Sequence, residues 1–288
     1  MRRAPEILLT KAQIEELLGC PVDRVERVPG GLVNTIYRVE TRGETLTLRL
    51  FSRGQAACAI ERALLTRLAG SIPVPELLRA GPSFVVTRWV EGMTLNEFRR
   101  ASAPDALLAL AGHLGALAAR VASFDASGLE NGRTDSAAFI AGACRQLERG
   151  PARERLGSGL ADSLVALYAG FEIPAAETLA HGDFGGRNIL ISPEGRIAAV
   201  IDWEDAFAGS PLWDVGSLFR YAGRFREPFR AHFEVGYREA GGILGENWWT
   251  AARLLDAARQ IETIDSPAAQ PEVVAEVTEL LSIVASAG

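Results

Sequence analysis

The chain has 288 residues, 48% hydrophobic and 23% charged, which is enough for a sizeable core without disulfide staples and ordinary for a globular protein. Its net charge of −6 is concentrated at one end: from Glu227 onward ten acids face four arginines, and the rest of the chain balances. That distribution disfavours nucleic acid, whose phosphates need a basic face, and permits a cationic ligand, although solvated acidic helix faces explain it equally well. No apolar run approaches the roughly 18 residues of a membrane span. The N-terminal stretch offers only the short Ile7-Leu8-Leu9 cluster where a signal peptide needs a longer apolar core, and Cys20, Cys58 and Cys144 form no C-x-x-C pair. The expectation is a cytoplasmic protein with reduced thiols, no membrane or nucleic-acid partner, and a monomeric or weakly dimeric state. Lys11 is the single lysine among 30 basic residues, so an arginine where a lysine is usual is unsurprising here.

In chain order, VERVPGG (25–31) and VNTIYRVE (33–40) are short β-like runs around a Gly-Gly turn, and ETLTLRLF (44–51) alternates polar and apolar residues as a strand does. Three such runs predict an antiparallel meander. GQAACAIERALLTRLAG (54–70) places Ala57, Ile60, Leu64, Leu65 and Leu68 at helical spacing, with Gly70 and Pro73 as stops. SFVVTRWV (83–90) reads as a buried strand leading through EGMTL into a different pattern, so a boundary is expected near residue 91. From there the chain reads as helical. Pro104 opens a helix over 104–124, a helical pair is expected between about 135 and 170, and three more helices near 227–241, 246–264 and 271–286. The only strands expected in this half are TLAH (178–181), NILI (188–191) and RIAAVID (196–202). The order implies an α+β fold: a small antiparallel β-sheet lobe with one main helix over 1–90, then a large, mostly helical lobe over 91–288.

The chemistry gathers around HGDFGGRNILI (181–191) and VIDWED (200–205). Asp183 lies in a Gly-rich loop, Asn188 opens a strand, and Asp202 ends the next strand but one, so two loops beside a hairpin can converge on one cleft. An Asp base, with an Asn and an Asp offering oxygen to a metal, is what phosphoryl transfer needs, because Mg2+ takes few protein ligands and leaves its other positions to phosphate and water. The nucleophile is then a substrate hydroxyl.

These blocks, with IAAVIDWEDAFAGSPLWDV, resemble the signature of the aminoglycoside phosphotransferase/choline kinase-like family, small-molecule relatives of protein kinases. The kinase catalytic loop H-R-D-x-x-x-x-N becomes His181-Gly182-Asp183 with Asn188 at matching spacing, and the D-F-G metal loop becomes Asp202-Trp203-Glu204. The resemblance implies a protein-kinase-like two-lobed fold, ATP or GTP as phosphate donor with Mg2+, and a small hydroxylated acceptor. It implies roles as well: Asp183 as the catalytic residue that orients the acceptor hydroxyl and takes its proton, Asn188 and Asp202 on the metal, and His181 and Asp214 as structural support of the loop. PGGLVNTIYRV (29–39) resembles the family's nucleotide loop, giving Gly30, Gly31, Asn34 and Thr35, although a Gly-Gly hairpin alone is usually just a turn. Where the family carries a Lys paired with a helical Glu, this chain has Arg49 and Glu61; Arg stays charged and can grip phosphate through two N–H groups. The backbone around Thr87, Trp89 and Val90 corresponds to the inter-lobe hinge that holds adenine. Gly209-Ser210-Pro211 departs from a family pattern with Asp between Gly and Pro. The resemblance covers blocks from about 29 to 223, and the last sixty residues are assigned only by position, as helices that line the acceptor site.

Within that acidic quarter Glu234, Glu239, Glu262 and Asp265 are candidates to receive substrate amines. His113 and His232 read as packed or surface histidines, and Trp248 and Trp249 as core or lid packing. The charge favours a cationic antibiotic such as an aminoglycoside as acceptor; homoserine, choline or a sugar amine keeps the same chemistry, and a pseudokinase has only Arg49 in its favour. A dinuclear phosphatase needs clustered histidines, and the three present are far apart in sequence.

Overall fold

The computed structural model describes residues 6–29, 33–129, 131, 134–171, 178–221, 225 and 227–286. The chain separates into two compact units, the first built from 2–106 and 186–205, the second from 107–185 and 206–288.

The first unit opens with α1 (Lys11–Leu18), a helix the sequence reading did not assign. Its cue is local: Thr10 accepts from the Gln13 N–H while the Gln13 side chain reaches back to the Thr10 N–H, a capping box, and Gly19 closes the helix with φ of 71°. The expected meander is β1 (Arg24–Arg27), β2 (Thr35–Thr41) and β3 (Glu44–Leu50), and β4 (Leu77–Ala80) and β5 (Phe84–Arg88) extend it into a five-stranded antiparallel sheet of order β1-β2-β3-β5-β4. The alternation along β3 decides what each face carries. Leu46, Leu48 and Leu50 pack with Tyr37, Val39 and Val86 beneath Ile14 and Leu18 of α1. Arg49 therefore points the other way, toward α2 (Gln55–Leu68), whose Cys58 packs on Phe51 and Val85. The same unit contains β6 (Met93–Thr94), α3 (Leu95–Ala101) and a ribbon of β8 (Ile189–Ile191) and β9 (Ile197–Val200), in the order β6-β8-β9. A single 3-10 turn, Trp203–Asp205, follows β9.

The second unit is helical. Where a helical pair was expected over 135–170 there are three helices, α5 (Ser136–Arg149), α6 (Pro151–Leu156) and α7 (Ser158–Ala169), because Gly150-Pro151 and Gly157 interrupt the run. The expectation of three short strands in this half is also corrected: β7 (Thr178–Ala180) pairs antiparallel with β10 (Phe207–Gly209), a strand not foreseen. The remaining helices are α8 (Leu212–Leu218), α9 (Glu227–Glu239), α10 (Trp248–Asp265) and α11 (Pro271–Ser286). Leu147, Leu164, Leu254, Ala258, Ile261 and Leu281 form the main core of α5, α7, α10 and α11.

The 19-residue α4 (Pro104–Ala122) corrects another expectation, since by length and composition it could cross a membrane. Its backbone also approaches that of α9 closely. A Cβ on Gly115 would stand 2.0 Å from the Phe233 carbonyl oxygen, and one on Gly236 would stand 2.0 Å from that of Gly112, so the two backbones meet through glycine. Gly115→Ala is expected to destabilise the protein by about 1–2 kcal/mol, because the overpacking cost of roughly 1–3 kcal/mol exceeds the gain in helix propensity of up to about 1 kcal/mol. Urea unfolding reads the sign, and an unchanged or higher midpoint contradicts it.

Candidate active site

In the second unit β7 runs straight into His181-Gly182-Asp183. Gly182 has φ of 83°, a backbone state that disfavours any side chain. The turn is held by Asp214, in the first turn of α8: its Oδ2 accepts from the His181 N–H at 2.7 Å and its Oδ1 from the Gly182 N–H at 3.0 Å. Arg259 of α10 donates to the Gly182 carbonyl oxygen, and the Asp183 N–H donates to His181 Nδ1 at 3.2 Å. Burial pushes the Asp214 carboxyl above its usual range, against the downward pull of His181, the two N–H groups and Arg259. Two oxygens on one buried carboxylate thus fix the backbone immediately before Asp183, which is itself half-buried. Asp214→Asn keeps the shape but replaces one acceptor with a donor, leaving a buried N–H unsatisfied. A loss of about 1–3 kcal/mol in urea unfolding is expected, and a variant as stable as the parent would contradict this bracing.

In the first unit one cation faces three acids. Arg49 is buried; it lies 3.3 Å from Glu61 Oε1 and 3.4 Å from Glu204 Oε2, donates to Asp202 Oδ1, and sits 4.9 Å from the centre of the Phe51 ring. Burial pulls the Arg49 guanidinium down, but Glu61, Asp202 and Glu204 together raise it above its ordinary value. Burial pushes Glu61 up to about 7, with Arg49 opposing, and raises Glu204 likewise. The other Glu61 oxygen accepts the Trp203 N–H at 2.5 Å, so one carboxylate links Arg49 to the backbone after Asp202. Asp202 has φ of 71°, a left-handed state that Asp tolerates better than most residues, and its neighbours hold it there: the Ile201 N–H donates to the Asn188 carbonyl at 2.9 Å and the Trp203 indole donates to the Val200 carbonyl at 3.0 Å.

That Ile201–Asn188 bond sets Asn188 beside the residue before Asp202, so a buried amide and a carboxylate leave the ribbon together. Among the described residues no group of three His, Cys, Asp or Glu side chains could hold a metal ion. A pair of hard oxygen donors fits Mg2+, which needs few protein ligands, and does not fit a metal that selects nitrogen or sulfur.

The remaining candidates lie as follows. Asn34 is buried; its Nδ2 donates to Glu204 Oε2 at 2.6 Å and its Oδ1 accepts from the Ser52 N–H at 3.2 Å. Thr35 Oγ1 accepts from the Ile7 N–H at 2.9 Å. Gly30 and Gly31 lie outside the described residues. Thr87 is buried in β5, Val90 is half-buried, and the Trp89 N–H donates to the Thr45 carbonyl at 2.9 Å while Arg38 lies 5.3 Å over its ring. Glu234 pairs with Arg238 at 2.8 Å, Asp265 Oδ1 accepts from the Ala152 N–H at 3.0 Å, and Glu239 and Glu262 are exposed. Three further residues were not singled out from sequence. Glu204, two positions after Asp202, was in plain view in VIDWED; Arg53 pairs with Asp205 at 2.7 Å and lies 3.7 Å from Glu204; Arg259 has no sequence signal at all.

A small antiparallel sheet carrying a buried Arg–Glu pair, and a helical unit carrying a braced Asp loop, define a protein-kinase-like two-lobed α+β fold. The chain belongs to the phosphotransferase enzyme family, whose model matches residues 24–275. Hygromycin-B 4-O-kinase of Escherichia coli is 28% identical over 166 residues, covering 52% of this chain and 48% of that protein, so the chain spans about half the length of this curated relative. The macrolide 2′-phosphotransferase of Brachybacterium faecium superposes with a TM-score of 0.72 at 19% identity, covering 93% of this chain and 95% of its own. A thermostable mutant of an aminoglycoside phosphotransferase, in ternary complex with ADP and hygromycin B, gives 0.69 at 19% identity over 96% and 98% of the two chains.

Proposed function

We propose that this protein transfers the terminal phosphate of ATP or GTP to a hydroxyl of a small, positively charged molecule of the antibiotic type, aminoglycosides included, in the cytoplasm. The observation that carries the proposal is the double grip of Asp214 on His181 and Gly182, which presents Asp183 from a rigid turn within a chain matched to a phosphotransferase family. Asp183 orients the acceptor hydroxyl and takes its proton. Asn188 and Asp202 hold Mg2+, which when bound offsets phosphate charge. Arg49, kept in place by Glu61, offers its guanidinium to the nucleotide phosphates, and residues 1–90, with Gly30, Gly31, Asn34 and Thr35 at the phosphates and Thr87, Trp89 and Val90 at the base, bind the nucleotide. Residues 91–288 carry the catalytic and metal loops and the acceptor site. With no nucleophilic side chain required, transfer is direct, and rate comes from positioning and electrostatics. The relatives support the donor and acceptor classes: one was crystallised with ADP and hygromycin B, and others are named for hygromycin B or macrolides.

The test is mass spectrometry of aminoglycosides, macrolides, other cationic antibiotics and amino-alcohol or sugar metabolites after incubation with the protein, Mg2+ and either nucleotide. A phosphate-sized gain that disappears in Asp183→Ala is expected. No gain on any acceptor would remove the proposal.

A further inference from the structure

A pocket of about 250 Å³ opens in the second unit where α10 and α11 meet the end of α8. Its position is tied to the catalytic loop through α10. Arg259 of that helix grips the Gly182 carbonyl, while Arg253, Ala257 and Gln260 of the same helix line the pocket. Arg220 completes this wall: Nε and Nη2 meet Asp256 at 2.8–3.1 Å, the Gln260 amide oxygen accepts from it at 3.2 Å when that amide is turned, and the Asp183 carboxylate is near enough to help hold its charge.

The opposite wall is aliphatic. Leu280, Leu281, Ile283 and Val284 of α11 line the space, with Ile283 51% exposed at its edge. The charged lining residues are Arg220, Arg253, Glu276 and Glu279. Asp256 takes the charge of Arg220, and Glu276 accepts from the Tyr221 hydroxyl. Arg253 is half-buried and lies 5.9 Å from the centre of the Trp249 ring; a second ammonium on a ligand would meet it. Glu279 forms no ion pair among the described residues. With Arg220 neutralised by Asp256, Arg253 stands against Glu276 and Glu279, which leaves a surplus of one acid for one amine, and a broad apolar wall for the rest.

We infer that this pocket receives the acceptor, and that the acceptor is an amphiphile, a mostly apolar hydroxylated ring compound bearing a single amine, in preference to a polycation. The pocket volume takes one apolar flank and the amine, leaving the remainder of a large ring in solvent. This rests on the small-molecule kinase reading above, and it is tested by binding so that the two can fail separately.

Calorimetry on the whole chain without nucleotide should find that several monoamine macrolides bind and that hygromycin B and other aminoglycosides bind more weakly. Ile283→Glu, which places a charge on the apolar rim, should weaken macrolide binding at least about tenfold, the loss expected when an apolar side-chain contact is removed. Glu279→Gln should weaken amine-bearing macrolides and leave a neutral analogue unchanged, whereas Ile243→Glu, on an exposed loop away from the pocket, should change neither. Tighter binding of the polycations, no binding of any macrolide, or an Ile283→Glu variant with parental affinity would overturn the inference. Macrolides that bind and respond to Ile283→Glu but are never phosphorylated uphold the ligand class and remove the kinase reading. Transfer to aminoglycosides with no macrolide binding does the reverse.

Discussion

Replacing Asp183 with Ala is expected to lower phosphoryl transfer by roughly 100- to 10,000-fold, the range supplied by a positioned general base, while nucleotide binding stays within about twofold of the parent. Two features of the loop make this variant clean. The backbone at His181 and Gly182 is held by Asp214 and Arg259, neither of which is touched, so removing the Asp183 carboxylate should not unfold the turn. The residues proposed to meet phosphate and metal, Arg49, Asn188 and Asp202, belong to the other unit and keep their own partners. Single-turnover assays with saturating nucleotide, paired with calorimetric titration of nucleotide alone, separate the two quantities. A variant that transfers phosphate at near-parental rate would exclude Asp183 as base; one that fails to bind nucleotide would mean that the carboxylate serves the donor instead.

The residues proposed to carry this chemistry stood out in the sequence because chemistry constrains spacing. Asn188 and Asp202 flank the two strands of one ribbon, and a ribbon of fixed length writes itself as a fixed interval, while Asp183 stands at a set spacing before Asn188 in the same Gly-rich motif. The meander was equally visible, since the β3 sequence alternates polar and apolar residues and buries Leu46, Leu48 and Leu50 on one face. What stayed hidden depends on partners distant in sequence. β4 and β10 are short and lack alternation, so they exist only because β5 and β7 offer them a ladder. α1 is only eight residues long, with Ile14, Leu17 and Leu18 as its apolar set, and the Thr10–Gln13 box marks its start. Glu204 was in the quoted motif, but its weight comes from Asn34 and Arg49, more than 150 positions away. Acids in the C-terminal quarter could be counted but not oriented, because packing decides which helix face meets the pocket. Glu276 and Glu279 line it, while Asp265 caps the start of α6 and Glu234 pairs along α9.

The second large effect concerns Arg49. Arg49→Ala would leave Glu61 and Glu204 buried beside Asp202 with no guanidinium between them, and breaking a buried pair from one side typically costs about 3–5 kcal/mol. The loss should depend on pH in a definite direction. Burial already raises the Glu61 carboxyl from its ordinary 4.5 to about 7 in the folded protein, and Arg49 pulls it back more than the Trp203 N–H does. A carboxyl raised on folding favours the protonated state, so its contribution is present at low pH and is lost as pH rises through the folded value. Removing Arg49 lifts Glu61 and Glu204 further, and protonation at pH 5.5 then relieves most of the repulsion while pH 8 exposes all of it. Urea unfolding should therefore show a deficit that is larger at pH 8 than at pH 5.5. Arg49→Lys should recover only part of the loss, because one compact ammonium cannot reach three carboxylates as a planar fork does. A deficit below about 0.5 kcal/mol, the level of an ordinary surface change, or one that shrinks as pH rises, would mean that these acids find another cation in the folded chain and that Arg49 is not the residue that holds them together.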